Sequence, residues 1–84
     1  MDNARHIMIT ADKIQTLMAL DTTALTQAIR RAGYKHHTLC DTEFVGLTNG
    51  NQFAYKGHRA NGDEQVICKV FVSMDPSGHI VADY

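Results

Sequence analysis

Two short apolar stripes with helical spacing open the chain, and a long stretch of two-residue alternation follows them. Ile14, Leu17 and Met18 recur at the three- and four-residue intervals that put side chains on one side of a helix. Leu25, Ala28, Ile29 and Ala32 repeat that interval a little later. Each stripe has its own start signal. Thr10 is placed to cap a first helix running to about Leu20, with Ile9 just before the cap and Ile14 four residues after it, the spacing of a hydrophobic staple. Asp21 is placed to cap a second helix, with Leu20 and Leu25 as its staple. Gly33 then ends that helix, and Tyr34 is positioned to fold back on Ile29 in a Schellman-type stop. One continuous helix is the competing reading. It puts Asp21 into the apolar seam, where a charge is costly, so two helices are expected.

From Cys40 onward, turn residues punctuate the alternation. Asn49-Gly50 and Asn61-Gly62 each suit a two-residue hairpin turn, because Asn-Gly tolerates the positive φ angles such turns require. Asp75-Pro76-Ser77-Gly78 suits a type I turn with glycine at the bulge position. These turns imply registers. The first sets Phe44 opposite Tyr55 and Gly46 opposite Phe53; the second sets Tyr55 opposite Cys68, Phe53 opposite Val70 and Gly57 opposite Val66. The third sets Val72 opposite Ala82 and Val70 opposite Tyr84. All these residues then share one uncharged face, which also takes Met74 and Ile80. The expected class is α+β: two N-terminal helices packed on one face of a four-stranded antiparallel β-meander. The chain reads as a single domain over 1–84, a helical hairpin at about 10–33 and the meander at about 40–84.

The opposite face carries Glu43 and Lys56, placed to pair across the first hairpin. Near the other end it carries Val45, Leu47, Phe71 and Val81. A contiguous apolar patch on so small a protein often marks a contact surface, and these four are the candidate protein-interface residues. A local explanation competes: His6-Ile7-Met8-Ile9 could fold over the patch or add a strand. If the patch is free, a homodimer through sheet faces or edges is the first expectation.

Eighty-four residues with 44% apolar and 20% charged side chains make an ordinary globular composition. No apolar run is long enough to span a membrane, and the start, Met1–Thr10, lacks a cationic head followed by a long apolar stretch. A cytoplasmic location is the resulting expectation. Two cysteines, Cys40 and Cys68, make no disulfide framework and act most simply as small apolar residues. The net charge of −1 argues against a large nucleic-acid surface, although Arg30, Arg31 and Lys35 cluster beside His36 and His37.

That cluster gives the sharpest functional alternative. Over residues 11–33 the chain resembles a helix-turn-helix: Ala19, Leu20 and Asp21 stand at the turn, and Leu25 and Ile29 are inward anchors. As a DNA-binding regulator it would present Thr22, Thr23, Thr26, Gln27, Arg30 and Arg31 from the second helix, with Lys35 beyond, to phosphates or base edges. It departs from the pattern at Gln15, where a small residue normally lets the two helices approach. Any capped helical hairpin with a polar outer face meets much of the rest.

Chemistry has less support. His36, His37 and Cys40 lie close in sequence, but the chain has no C-x-x-C, H-x-x-x-H or H-E-x-x-H spacing for a metal. The registers put Cys68 and His58 on opposite faces. A Cys–His nucleophile pair needs an accessible, low-pKa thiolate beside an oriented base, and nothing in the sequence orients one. The sequence therefore suggests a small non-enzymatic protein without metal or cofactor, acting on a protein partner or on itself. Its brevity suits an accessory or inhibitory protein of the kind phages and mobile elements encode.

Overall fold

Both capping residues adopt the role that their side chains suit. In the computed structural model, which describes residues 10–84, the Thr10 hydroxyl accepts from the Lys13 N–H at 3.3 Å and opens helix α1 (Ala11–Met18). The Asp21 carboxylate accepts from the Ala24 N–H at 2.8 Å and opens α2 (Thr22–Arg31). Two helices thus form, not one. At the end of α2 the Tyr34 N–H donates to the Ile29 carbonyl and the Gly33 N–H to that of Arg30, both at 3.1 Å. Gly33 has φ 120, so the Schellman stop forms as its glycine predicts. The Tyr34 ring, however, meets Tyr84 edge-on at 4.8 Å and does not lie buried over Ile29. The staple residue Ile9 and the segment His6–Ile9 fall outside the described residues.

Four strands follow: β1 (Leu39–Leu47), β2 (Phe53–Asn61), β3 (Glu64–Met74) and β4 (Ile80–Asp83). They form one antiparallel sheet in the order β1-β2-β3-β4. The architecture is α+β, two helices followed by a four-stranded meander.

The three turns differ in how they meet expectation. The last hairpin has Val72 opposite Ala82, with Gly78 at φ 89 and its N–H donating to the Asp75 carbonyl at 2.9 Å. The middle hairpin turns one residue later than its Asn-Gly suggests. Asn61 pairs with Glu64, so Gly62 and Asp63 make the turn, with positive φ only at Gly62 (64), as a type II′ turn needs. Tyr55 therefore faces Val70, Phe53 faces Val72 and Gly57 faces Cys68. The slip is two residues, so every side chain keeps its face.

The first hairpin is the exception. Asn51 takes φ 63 and lengthens the loop by one residue, which pairs Leu47 with Phe53 and Gly46 with Ala54. A bulge at Val45 then restores Phe44 opposite Tyr55. Between loop and bulge the faces are exchanged. Gly46 leaves the inner face, where the two-residue turn placed it, and Leu47 joins it.

The inner face holds the core. Leu17, Leu25, Ala28 and Ile29 pack against Leu39, Phe53, Tyr55, Val70, Val72 and Ala82. α2 makes its backbone approaches to β1 and β4, the two edge strands. Those edges lie roughly 14 Å apart in a flat sheet, a span that a ten-residue helix about 15 Å long can cross. α1 lies against β3, and its Leu17 shares the core with Leu25 and Ile29 of α2. Both helices cover the same inner face of the sheet. α1 ends at Met18, short of Leu20, and buries only Leu17; Ile14 and Met18 remain exposed, as does Ala32 at the end of α2.

Two residues tie the layers together. The buried Tyr55 hydroxyl donates to the Leu17 carbonyl and accepts from the Leu20 N–H at 3.0 Å. It thereby satisfies backbone groups that the end of α1 leaves unpaired. Burial pushes this phenol above its ordinary pKa, with the Leu20 N–H opposing. Gly57 lies close against the backbone of β1: a Cβ there would sit 2.0 Å from the Asp41 carbonyl oxygen.

Candidate functional site

Alternation along the strands sends the remaining side chains to the outer face, away from both helices. Its rows can be laid out from the register. Asp41, His58 and Ile67 lie side by side on β1, β2 and β3. Glu43, Lys56 and Lys69 form the next row. Then come Val45 and Gly46 at the bulge, Ala54, Phe71 and Asp83, and after them Ser73 beside Val81.

Three of the four sequence-predicted interface residues lie on this face. Val45 is 49% exposed, Val81 is 46% exposed, and Phe71, beside the buried Ala54 in the register, is half-buried. Leu47 does not join them. It is 58% exposed, but the first loop has moved it to the inner face, beyond the covered part of the core. The residue missed is Ile67. It is 81% exposed, the highest value of any large apolar side chain in the described residues. Its polar neighbours His58 and Lys69 hid it from a search for apolar runs. An isoleucine alternating with lysine and glutamine was the available signal.

The outer face is also charged in an ordered way. His58 Nδ1 lies 3.0 Å from an Asp41 carboxylate oxygen, and Lys56 Nζ lies 3.9 Å from Glu43. Both pairs are exposed, so neither contributes much to stability. Acids therefore line β1, and lysines line β2 and β3. Lys56 and Lys69 stand directly opposite each other, a like-charge contact that costs energy. An open depression of about 420 Å³ runs over these strands between Asp41, Glu43, Lys56, His58 and Ile67.

The edges are guarded. β1 carries irregularities at Cys40 and Val45 and the carboxylates of Asp41 and Glu43; β4 is four residues long and carries Asp83. Bulges, charges and short edges all discourage strand addition.

The residues of the DNA alternative are divided by the structure. Thr22 Oγ1 lies 2.7 Å from Thr42 Oγ1 on β1. Thr26 is buried, and its hydroxyl accepts from the Leu39 N–H at 3.2 Å. Arg30 donates to the His37 carbonyl at 2.9 Å and to Thr38 Oγ1 at 2.7 Å, clamping the link between α2 and β1. This row of α2 faces β1 across a shallow hollow. Thr23 and Gln27 line the rim of that hollow, and they, Arg31 and Lys35 are the members of that set that are exposed and make no hydrogen bond to another described residue.

Among the described residues no three His, Cys, Asp or Glu side chains converge as metal ligands. Cys68 and His58 lie on opposite faces, and His37 sits 5.4 Å from both the Tyr34 and the Tyr84 rings. Burial pushes the Cys68 thiol and the Tyr84 phenol above their ordinary pKa values, which disfavours the Cys68 thiolate. No described helix is long and apolar enough to cross a membrane. No protein-family model, curated protein or solved structure matches the chain.

Proposed function

We propose that the protein acts by binding another protein through the outer face of its sheet, as an accessory or inhibitory protein with no catalytic step. One observation carries this reading. Val45, Phe71 and Val81, with Ile67 two rows away beyond the lysines, give apolar ground on a face that no described helix or strand covers. The guarded edges support a face over an edge, and the charged rows give that face a pattern a partner can read. A photo-activated crosslinking residue placed at Ile67, at Val81 and, as a control, at Gln27 on α2 tests it in cells. The expected result is a discrete heavier adduct from the two sheet positions and none from Gln27. Adducts from Gln27 alone would sink the proposal.

A further inference from the structure

Taking the outer face as a protein-contact surface, we infer that the partner it fits is an acidic amphipathic helix of another protein, laid along β3. The middle of the face is positive, with an apolar side chain on each side of it along that strand. Lys56 and Lys69 stand directly opposite each other in the register, Ile67 lies one row before Lys69, and Phe71 lies one row after it. The carboxylates stand to the sides, Asp41 and Glu43 on β1 and Asp83 on β4. Glu43, 3.9 Å from Lys56, answers one of the two lysines. Among the described residues no carboxylate pairs with Lys69. A carboxylate brought from outside therefore meets two ammonium groups at once, and it relieves a repulsion that the fold alone leaves in place.

The spacing sets the rest of the partner. Successive side chains on one face of a strand are about 6.6–6.8 Å apart, so Ile67, Lys69 and Phe71 mark three stations at that interval. A helix presents its residues i, i+4 and i+8 on one side at steps of about 6 Å. An apolar residue, a glutamate or aspartate, and a second apolar residue at those positions meet the three stations in turn. An extended segment has the same spacing, but on a face it finds no backbone partners. The edges that offer them carry irregularities and carboxylates on β1, and only four residues on β4. A helix satisfies its own backbone and needs only side-chain ground. Neither described helix of this chain carries the pattern. α2 has no acidic residue, and the one acid of α1, Asp12, is followed four residues on by Thr16. The helix therefore comes from a different protein.

The test is a displayed library of single-helix peptides, selected on the purified full chain and then measured as synthetic peptides by calorimetry. The selected peptides should carry the apolar–acidic–apolar pattern at i, i+4 and i+8 and bind more weakly at high salt. Lys69→Glu, at an exposed position, should weaken them by about tenfold or more, and a peptide with its acid changed to lysine should recover binding to that variant. Ile67→Lys should abolish binding with the circular dichroism spectrum unchanged, and Gln27→Lys on α2 should have no effect. Selected peptides without an acidic residue, or indifferent to Lys69→Glu, overturn the acidic helix; if Ile67→Lys still abolishes their binding, the contact surface stands. A library that yields no binder overturns a helix as the ligand, while a heavier adduct from Ile67 in cells keeps the face as a contact surface. A wild type that sediments as a dimer, and as a monomer with Lys69→Glu, overturns the different protein in favour of a second copy.

Discussion

The two faces of the sheet are made from alternate residues of the same strands, yet they do opposite work. On the inner face Phe53, Tyr55, Val70 and Val72 are buried under helices whose caps and stripes are built to reach them. On the outer face their immediate neighbours Lys56, Ile67 and Lys69 stand in water, with Phe71 half-buried among them. Losing an inner side chain removes packing that the fold has no spare copy of. Losing an outer one removes almost nothing from the fold. A small domain is stable by only a few kcal/mol, so the inner face has little freedom to vary, and the outer face is where function has room.

The harshest way to break that contrast is at Gly57. An alanine there would drive its Cβ to 2.0 Å from the Asp41 carbonyl oxygen, against β1 backbone with no flexible side chain to yield. Gly57→Ala should cost about 3 kcal/mol or more, enough to leave the protein largely unfolded, as seen by loss of a cooperative urea transition. Next in size is a matched pair. Leu25→Ala, at a fully buried position, should cost about 3 kcal/mol, whereas Ile67→Ala should stay within about 0.5 kcal/mol. Equal losses in the two variants would mean that the outer face is covered after all.

The same contrast explains what was legible in the sequence. Thr10, Asp21 and Gly33 act through local hydrogen bonds, so their signals needed no knowledge of the fold. The faces survived a wrong register in the second hairpin because a slip of two preserves parity. The first hairpin hid more. Asn51 in the left-handed region and the bulge at Val45 offset each other beyond Phe44, so the alternation looks unbroken while Gly46 and Leu47 exchange faces. The fates of Thr26 and Arg30 depend on where β1 begins, a tertiary fact no helical pattern contains. Sequence spacing found a polar helix face; the sheet edge decided which part of it is free.

Tyr55 joins the two kinds of evidence, since its ring is core and its hydroxyl is a strap. Tyr55→Phe keeps the ring and leaves the Leu17 carbonyl and the Leu20 N–H without their partner, at a cost of about 1–2 kcal/mol. A pH series sharpens the assignment. The folded-state pKa is raised above the unfolded phenol's value of roughly 10, so the folded state holds the proton more tightly. That stability is fully present below about pH 10 and is lost as pH rises toward the folded value. Chemical denaturation should show the wild type weakening on the alkaline side, and Tyr55→Phe weakening less steeply. The remaining decline belongs to Cys68 and Tyr84, which burial also raises.

The smallest effect separates the two readings of α2. Arg30 and Arg31 are adjacent and exposed, and a DNA-reading helix would use both. Here Arg30 holds the His37 carbonyl and the Thr38 hydroxyl, while Arg31 lies beside the open groove between α2 and β4. Arg30→Ala should therefore lower stability by about 0.5–1 kcal/mol, limited by the exposure of the guanidinium, and Arg31→Ala should leave it unchanged. The midpoint of thermal unfolding, followed by circular dichroism, reads both. A protein that retards mixed-sequence DNA at low salt, and loses that binding equally with either substitution, would return both arginines to a nucleic-acid surface. A stability cost confined to Arg30 would instead make it a clamp on the start of β1, the strand that carries the acidic row of the outer face.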